Sequence, residues 1–207
     1  GAYRSFKPKR TDIPKRIKRR VVSNLNEAPY PTRFILPFLS IIHDRIALEV
    51  RRGCGRGCRF CQAGIVYRPP RERSIDSLLS LATGAIQATG YEELSLSALN
   101  VGDYRRLEEL ILSLKGRLAP LRVSLSLPSS RVDTFPLPLE GELKRSSLTL
   151  APEAARGPLR EVINKSWRKE EFLETVERIA PFRRPLKLYF MFGLPGEKKE
   201  DVEAIVE

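Results

Sequence analysis

The chain has 207 residues, 42% of them hydrophobic and 30% charged, with a formal net charge of +12. That length and apolar content suit one globular unit that buries its own core, and no apolar run approaches the roughly 20 residues of a membrane span. The nearest, residues 34–42, is short and broken by Pro37. The chain therefore reads as a soluble cytoplasmic protein with no membrane partner. It opens at Gly1 without methionine or signal-peptide pattern, which is expected of a piece trimmed from something longer.

Charge is concentrated at the start. Between Arg4 and Arg20 nine Lys or Arg residues stand against the single acid Asp12, with Pro8 and Pro14 and little apolar periodicity. This predicts an extended basic linker or arm over residues 1–30, ahead of a core over residues 31–207. Such an arm is either a solvated connector or a track for a phosphate backbone, with RNA as the partner class. Only Tyr3 and Phe6 are there to stack on bases.

Beyond the arm, short β-type runs alternate with amphipathic helical ones. Residues 46–50 read as a strand. Ile75, Leu78, Leu79, Ala82 and Ile86 mark a helix opened by Ser74 and closed by Gly90. Residues 93–97 form the next strand, followed by a helix whose stripe is Leu107, Leu110, Ile111 and Leu114 and which is expected to end near Gly116. Further strands fall at 122–127, 147–150 and 187–191. Phe172, Leu173, Val176 and Ile179 line the helix between the last two. Residues 129–140, with Pro136 and Pro138, make a poor helix, so the third crossover is expected to be short and irregular. Strands alternating with helices of this length imply right-handed βα units and a parallel sheet.

All three cysteines fall within eight residues, Cys54, Cys58 and Cys61, in a C-x3-C-x2-C spacing. A tetrahedral zinc site or a thiolate-held iron–sulfur cluster takes four ligands, so three clustered thiolates leave one corner open for a substrate or cofactor. Gly53, Gly55 and Gly57 are placed to let the backbone adopt positive φ and aim N–H groups at sulfur. Arg51, Arg52, Arg56 and Arg59 bring positive charge to an anionic cluster. A zinc site completed by the lone histidine, His43, is the bland alternative. The odd cysteine count argues against a disulfide scaffold.

The C-x3-C-x2-C loop with an aromatic residue, Phe60, just before its last cysteine resembles the radical S-adenosylmethionine enzymes. The longer wording over residues 43–74 is similar to a subfamily in which this core follows a cobalamin-binding-type domain. The resemblance covers residues 30–207 and is most specific at the cysteines. It implies an α/β fold, a partial six-stranded (βα)6 TIM-like barrel with a parallel sheet, truncated at its C-terminal strand. In such barrels functional residues follow the carboxyl ends of the strands. Residues 97–104 stand where the family has a Gly-Gly-Glu-like loop contacting the amino group of S-adenosylmethionine, which makes Ser97 and Asn100 candidate contacts, although the wording is nearer the methylthiotransferase branch. Asp103 in that loop reads equally as a helix cap. Glu153 takes the position that bonds the ribose, and Lys165 the basic position that pairs with the carboxylate of S-adenosylmethionine. Met191 and Gly193 fall in a segment that resembles the family's adenine-stacking motif.

The resemblance thus implies a 4Fe-4S cluster held by Cys54, Cys58 and Cys61, with S-adenosylmethionine on its open iron. A reduced cluster then cleaves the S–C5′ bond to methionine and a 5′-deoxyadenosyl radical, which abstracts hydrogen from a substrate yet to be identified. An electron donor such as flavodoxin or ferredoxin and, in the intact protein, cobalamin are implied with it. One histidine and no obvious nucleophile–base pair fit a chain whose cofactor carries the chemistry, with no catalytic residue beyond the cluster. Arg68, Arg71 and Arg73 either grip phosphates or neutralise charge near the cluster. Two other readings stay open: a methylthiotransferase-like enzyme, which needs a second trio of cysteines, and a non-catalytic zinc or iron–sulfur module on nucleic acid.

Overall fold

The computed structural model describes residues 7–14, 16–39, 41–127, 130–134, 143–144, 147–165, 167–183 and 185–206. Five strands run parallel: β1 (Ile46–Glu49), β4 (Glu93–Ser97), β5 (Ser124–Ser126), β6 (Leu148–Glu153) and β7 (Leu186–Phe190). They lie in two sheets, β1-β4-β5 and β6-β7. Ile46 pairs with Leu94, Glu93 with Ser124, and Leu148 with Leu186. One parallel bridge, Ser130 to Leu150, joins the halves. The architecture is α/β and that of a partial TIM-like barrel, open rather than closed. Between β1 and β4 a small antiparallel ribbon pairs β2 (Arg51–Arg52) with β3 (Arg71–Glu72). It carries the cysteine loop and the one-turn helix α1 (Ala63–Val66) at its tip.

Helix α2 (Ile75–Thr89) starts where Ser74 Oγ accepts the Ser77 N–H at 3.3 Å and stops at Gly90, whose φ of 71° no β-carbon would favour. Helix α3 (Leu107–Leu118) buries Leu107, Leu110, Ile111, Leu114 and Leu118. It runs two residues past Gly116, because burying Leu118 is worth about 1.5–3 kcal/mol against about 1 kcal/mol for one glycine in a helix. Further helices are α4 (Gly157–Val162), α5 (Lys169–Ile179) and α6 (Lys199–Glu203). Strand β5 begins at Ser124, two residues later than the pattern predicts, since Arg122 takes φ 55° to close the preceding 3-10 turn. Strand β6 runs on to Glu153 through a bulge that absorbs Pro152, a residue with no N–H for the ladder. Of the third crossover, Val132–Thr134 form a single 3-10 turn; much of the remainder lies outside the described residues.

The strands alternate in polarity. Ile46, Leu48, Leu94, Leu96 and Leu125 are buried against α2 and α3 in the main core, whereas Glu49, Glu93, Ser95 and Ser124 point to the other face. Parallel sheets covered on both faces read as continuous apolar runs; this one is apolar only toward its helices, so its inner face is built for polar contacts. A second core of Val132, Leu148, Leu150, Trp167 and Ile179 serves the β6-β7 half.

Residues 24–34 lie along the body. Leu25 and Ala28 are buried, and Arg73, 2% exposed, donates through Nη1 to the carbonyls of Leu25 at 2.7 Å and Ala28 at 3.2 Å beneath the Tyr30 ring. Burial lowers the pKa of Arg73, with Glu49 opposing the shift. This anchor predicts that Arg73→Met, which keeps the volume and removes the donors, lowers stability by about 2 kcal/mol. Urea unfolding should report it, with faster proteolysis of residues 24–34; an unchanged midpoint would mean the segment is held by its apolar contacts alone.

Candidate cofactor site

The cysteine loop lies at the carboxyl end of β1, the end of a parallel barrel at which functional residues gather. Gly53 and Gly57 take φ of 84° and 74°, as expected of them, while Gly55 does not. At Gly53 a β-carbon would collide with the carbonyl oxygens of Tyr67 and Pro69, so the two arms of the loop approach as closely as only glycine permits.

Among the described residues each cysteine sulfur receives one N–H. The Arg56 amide lies 3.5 Å from Cys54 Sγ and the Gly64 amide 3.4 Å from Cys61 Sγ. Arg131 Nη1 lies 3.6 Å from Cys58 Sγ. Three sulfurs with one donor each suit a thiolate-held anionic centre. Among the described residues no group of three or more His, Cys, Asp or Glu is gathered closely enough to hold a single metal ion. His43 precedes β1 whereas the cysteines follow it, separated by a strand of about 13 Å, so it does not complete a zinc tetrahedron; its ring contacts Arg45 instead.

The loop arginines are largely neutralised rather than turned on the sulfurs. Arg52 pairs with Glu49 at 2.6 Å, and Arg51 with Glu72 and Asp103, both at 3.3 Å. Arg56 binds Asp103 and, at 3.1 Å, Asp133. Arg59 closes the carboxyl end of α4, donating to the carbonyls of Glu161 at 2.8 Å and Val162 at 2.7 Å. Asp103 is therefore an ion-pair hub, and no side chain caps α3. Burial disfavours its charge most strongly, but hydrogen bonds from Arg56 and Asn100 and the charges of Arg56 and Arg51 outweigh that and hold its pKa below the ordinary 3.8.

A second cluster of candidates meets the loop from β6 and β7. Glu153, with φ 69° just after the bulge, receives Lys165 Nζ at 2.8 Å, and the pair is nearly buried. Lys165, 5% exposed, is not the surface cation its place near a helix end also allows. Its Nζ stands 5.9 Å from the Phe60 ring centre, and the Met191 amide donates to the Glu153 carbonyl at 2.8 Å. Phe60, Glu153, Lys165 and Met191 thus come together. Gly193 takes φ 79° in the following turn, its amide 2.6 Å from Glu197 Oε2. Ser97 lines a cavity of about 360 Å³ with Glu49, Arg51, Gly53 and Tyr67. Asn100 is buried, and its Nδ2 donates to Thr134 Oγ1 at 3.2 Å. A larger cavity of about 650 Å³ lies on the helix side between β6, β7 and α5, walled by Trp167, Phe172, Leu188 and Phe190, away from the cysteines.

Of the downstream arginines, Arg73 is committed to Leu25 and Ala28, and Arg71 donates to the carbonyls of Val22 and Tyr67, both at 3.1 Å. Arg68 remains exposed, and its carbonyl receives Arg19 from the basic segment. Sequence reasoning missed Arg131, Asp133 and Asn164. Asn164, at φ 53°, donates to the Gly57 carbonyl at 2.9 Å. Its place beside Lys165 was the one available signal; nothing marked Arg131.

Residues 48–207 match the Radical SAM superfamily, and the chain belongs to that family of enzymes, which use a 4Fe-4S cluster and S-adenosylmethionine. It is 39% identical over 160 residues to an uncharacterized protein of Methanocaldococcus jannaschii, covering 77% of this chain and 35% of that one. It is 24% identical to the threonylcarbamoyladenosine tRNA methylthiotransferase MtaB of Treponema pallidum, over 96% of this chain and 42% of that one. The chain thus spans well under half the length of these relatives. Among solved structures, its fold is similar to the radical S-adenosylmethionine methyltransferase TsrM of Kitasatospora setae, with a TM-score of 0.66 and 16% identity over 79% of this chain and 33% of that one. The cobalamin-dependent radical enzyme OxsB gives a TM-score of 0.60 and 15% identity over 78% and 26% of the two chains.

Two outcomes follow. Gly53→Ala should abolish most iron uptake on anaerobic reconstitution while leaving the far-ultraviolet dichroism unchanged; full uptake would show that the close approach at Gly53 is not needed. Asp103→Asn should destabilise the protein by about 1–3 kcal/mol at neutral pH. Because the folded-state pKa of Asp103 is depressed, that difference is fully present above its ordinary 3.8 and vanishes as pH falls through the lower folded value. Unfolding curves of both proteins across that range check it, and a difference that persisted in strong acid would contradict the ion-pair origin.

Proposed function

We propose that Cys54, Cys58 and Cys61 hold the 4Fe-4S cluster, and that S-adenosylmethionine lies between the Ser97 loop, Phe60, the Glu153–Lys165 pair and Met191. The observation that carries the reading is the meeting of one N–H with each of three sulfurs beside a nearly buried Lys–Glu pair. Held by Cys54, Cys58 and Cys61, the cluster would supply the single electron needed for reductive cleavage of S-adenosylmethionine.

The protein's part is to orient and insulate. Lys165 has three donors and uses one on Glu153, so it pairs with an incoming carboxylate without releasing its partner. That bond in turn fixes Glu153, whose other oxygen remains to accept a ribose hydroxyl. Phe60 and Met191 offer apolar surface to the nucleoside, and Gly193 leaves the backbone open to the adenine face. The polar inner face of the strands receives the substrate, with hydrogen abstraction as the reaction class. In the longer protein, methyl transfer using cobalamin is the reaction we favour, since TsrM and OxsB share the fold, and a flavodoxin- or ferredoxin-type donor supplies the electrons.

A second reading, RNA modification akin to that of MtaB, is favoured by the basic segment. Residues 16–23 run beside the cysteine loop, with Arg19 bonded to the Arg68 carbonyl and Val22 accepting from Arg71. It requires three further cysteines for a second cluster, and this chain's three are all in one loop.

Anaerobic reconstitution followed by electron paramagnetic resonance of the reduced protein tests the main reading. A cluster signal that changes on adding S-adenosylmethionine is expected; a colourless protein with stoichiometric zinc would overturn it in favour of a binding module. Lys165→Met should weaken S-adenosylmethionine binding by about tenfold or more, the effect of one charge-assisted contact, at unchanged iron content. Equal affinity would remove Lys165 from the site.

A further inference from the structure

Arg131 is the one arginine side chain that reaches a cysteine sulfur among the described residues, and it comes from the segment that follows β5. It follows Ser130, whose amide donates to the Thr149 carbonyl at 3.0 Å and so ties this segment to β6. Val132, next in sequence, is buried in the second core. The backbone on both sides of Arg131 is therefore fixed.

The side chain is fixed as well. Nε donates to Asp133 Oδ1 at 2.8 Å and Nη2 to Asp133 Oδ2 at 3.2 Å, a two-pronged pairing that sets the guanidinium plane. Nη1 is left to point at Cys58 Sγ. Asp133 also binds Arg56 Nη1 at 3.1 Å, and Arg56 binds Asp103. A chain of alternating charges thus runs from the β4 loop through Asp103, Arg56, Asp133 and Arg131 to Cys58. The side chain of Arg131 is 12% exposed, so water screens the contact little.

We infer that Arg131 is a positioning residue that orients Cys58 and raises the reduction potential of the cluster, with Asp133 as its tether. The inference rests on the assignment of the three cysteines to a 4Fe-4S cluster. The reduced cluster carries one more negative charge than the oxidised one, so a donor aimed at a ligand sulfur stabilises the reduced form more. Arg56, Arg51 and Arg52 also pair with carboxylates, but among the described residues none of their side chains donates to a cysteine sulfur as Arg131 does.

The test is a redox titration of the reconstituted chain, followed by electron paramagnetic resonance, with iron and sulfide measured on each sample. In Arg131→Met the reduced-to-oxidised ratio at a fixed poise should fall by about tenfold, the low end for a hydrogen bond from a charged group. Arg131→Gln, which keeps N–H donors without the charge, should fall between Arg131→Met and the parent. An Arg131→Met protein with full cluster content and the parent's midpoint overturns the inference. Should Arg131→Met take up little iron, Arg131→Gln decides, and a parental midpoint there overturns it equally. A parent protein that binds zinc and no cluster would overturn instead the underlying assignment.

Discussion

The loop that carries Cys54, Cys58 and Cys61 has almost no regular structure of its own, with one helical turn after the last cysteine. Three sulfurs that are to hold one anionic centre must nevertheless be kept at fixed spacing. The loop is gripped from two sides: Arg56 reaches Asp103 after β4 and Asp133 after β5, while Arg59 and Gly57 are bonded to the end of α4 and to Asn164. These grips join the loop to the segments that follow β4, β5 and β6. The parallel sheet brings these segments together, so the fold and the cysteine geometry are one requirement.

Charge balance follows from the same arrangement. A chain with net charge +12 could have surrounded its cysteines with free cations. Instead Arg51, Arg52 and Arg56 are each paired with carboxylates, and the direct contacts to sulfur are two amides and one tethered guanidinium. Fixed N–H dipoles and a locked guanidinium need no rearrangement when the charge of a bound centre changes, whereas mobile side chains would. The excess positive charge lies mainly in the exposed N-terminal segment, where part of it runs along the β2-β3 ribbon.

The strands were legible because their apolar residues alternate and because Ser74, Gly90 and the leucine stripes mark helix ends and faces by local chemistry. The cysteine trio was legible because its spacing is itself chemical. What escaped were consequences of tertiary contact. The helix after β4 outran Gly116 because Leu118 found a core, and Glu153 follows a bulge at Pro152 and pairs with Phe190, 37 residues away. Asp103 read as a cap because its partners lie 47 and 52 residues distant in Arg56 and Arg51. Arg131 sits in a segment with no periodicity, and nothing in a one-dimensional pattern connects it with a cysteine 73 residues before it.

The central claim is that three thiolates leave one iron for S-adenosylmethionine. Mössbauer spectroscopy of the protein reconstituted with 57Fe addresses it most directly. With three thiolates per 4Fe-4S cluster, about one iron in four should change its isomer shift on adding S-adenosylmethionine while the others stay as they were. A spectrum in which every iron is tetrahedrally sulfur-ligated and none responds would contradict the account.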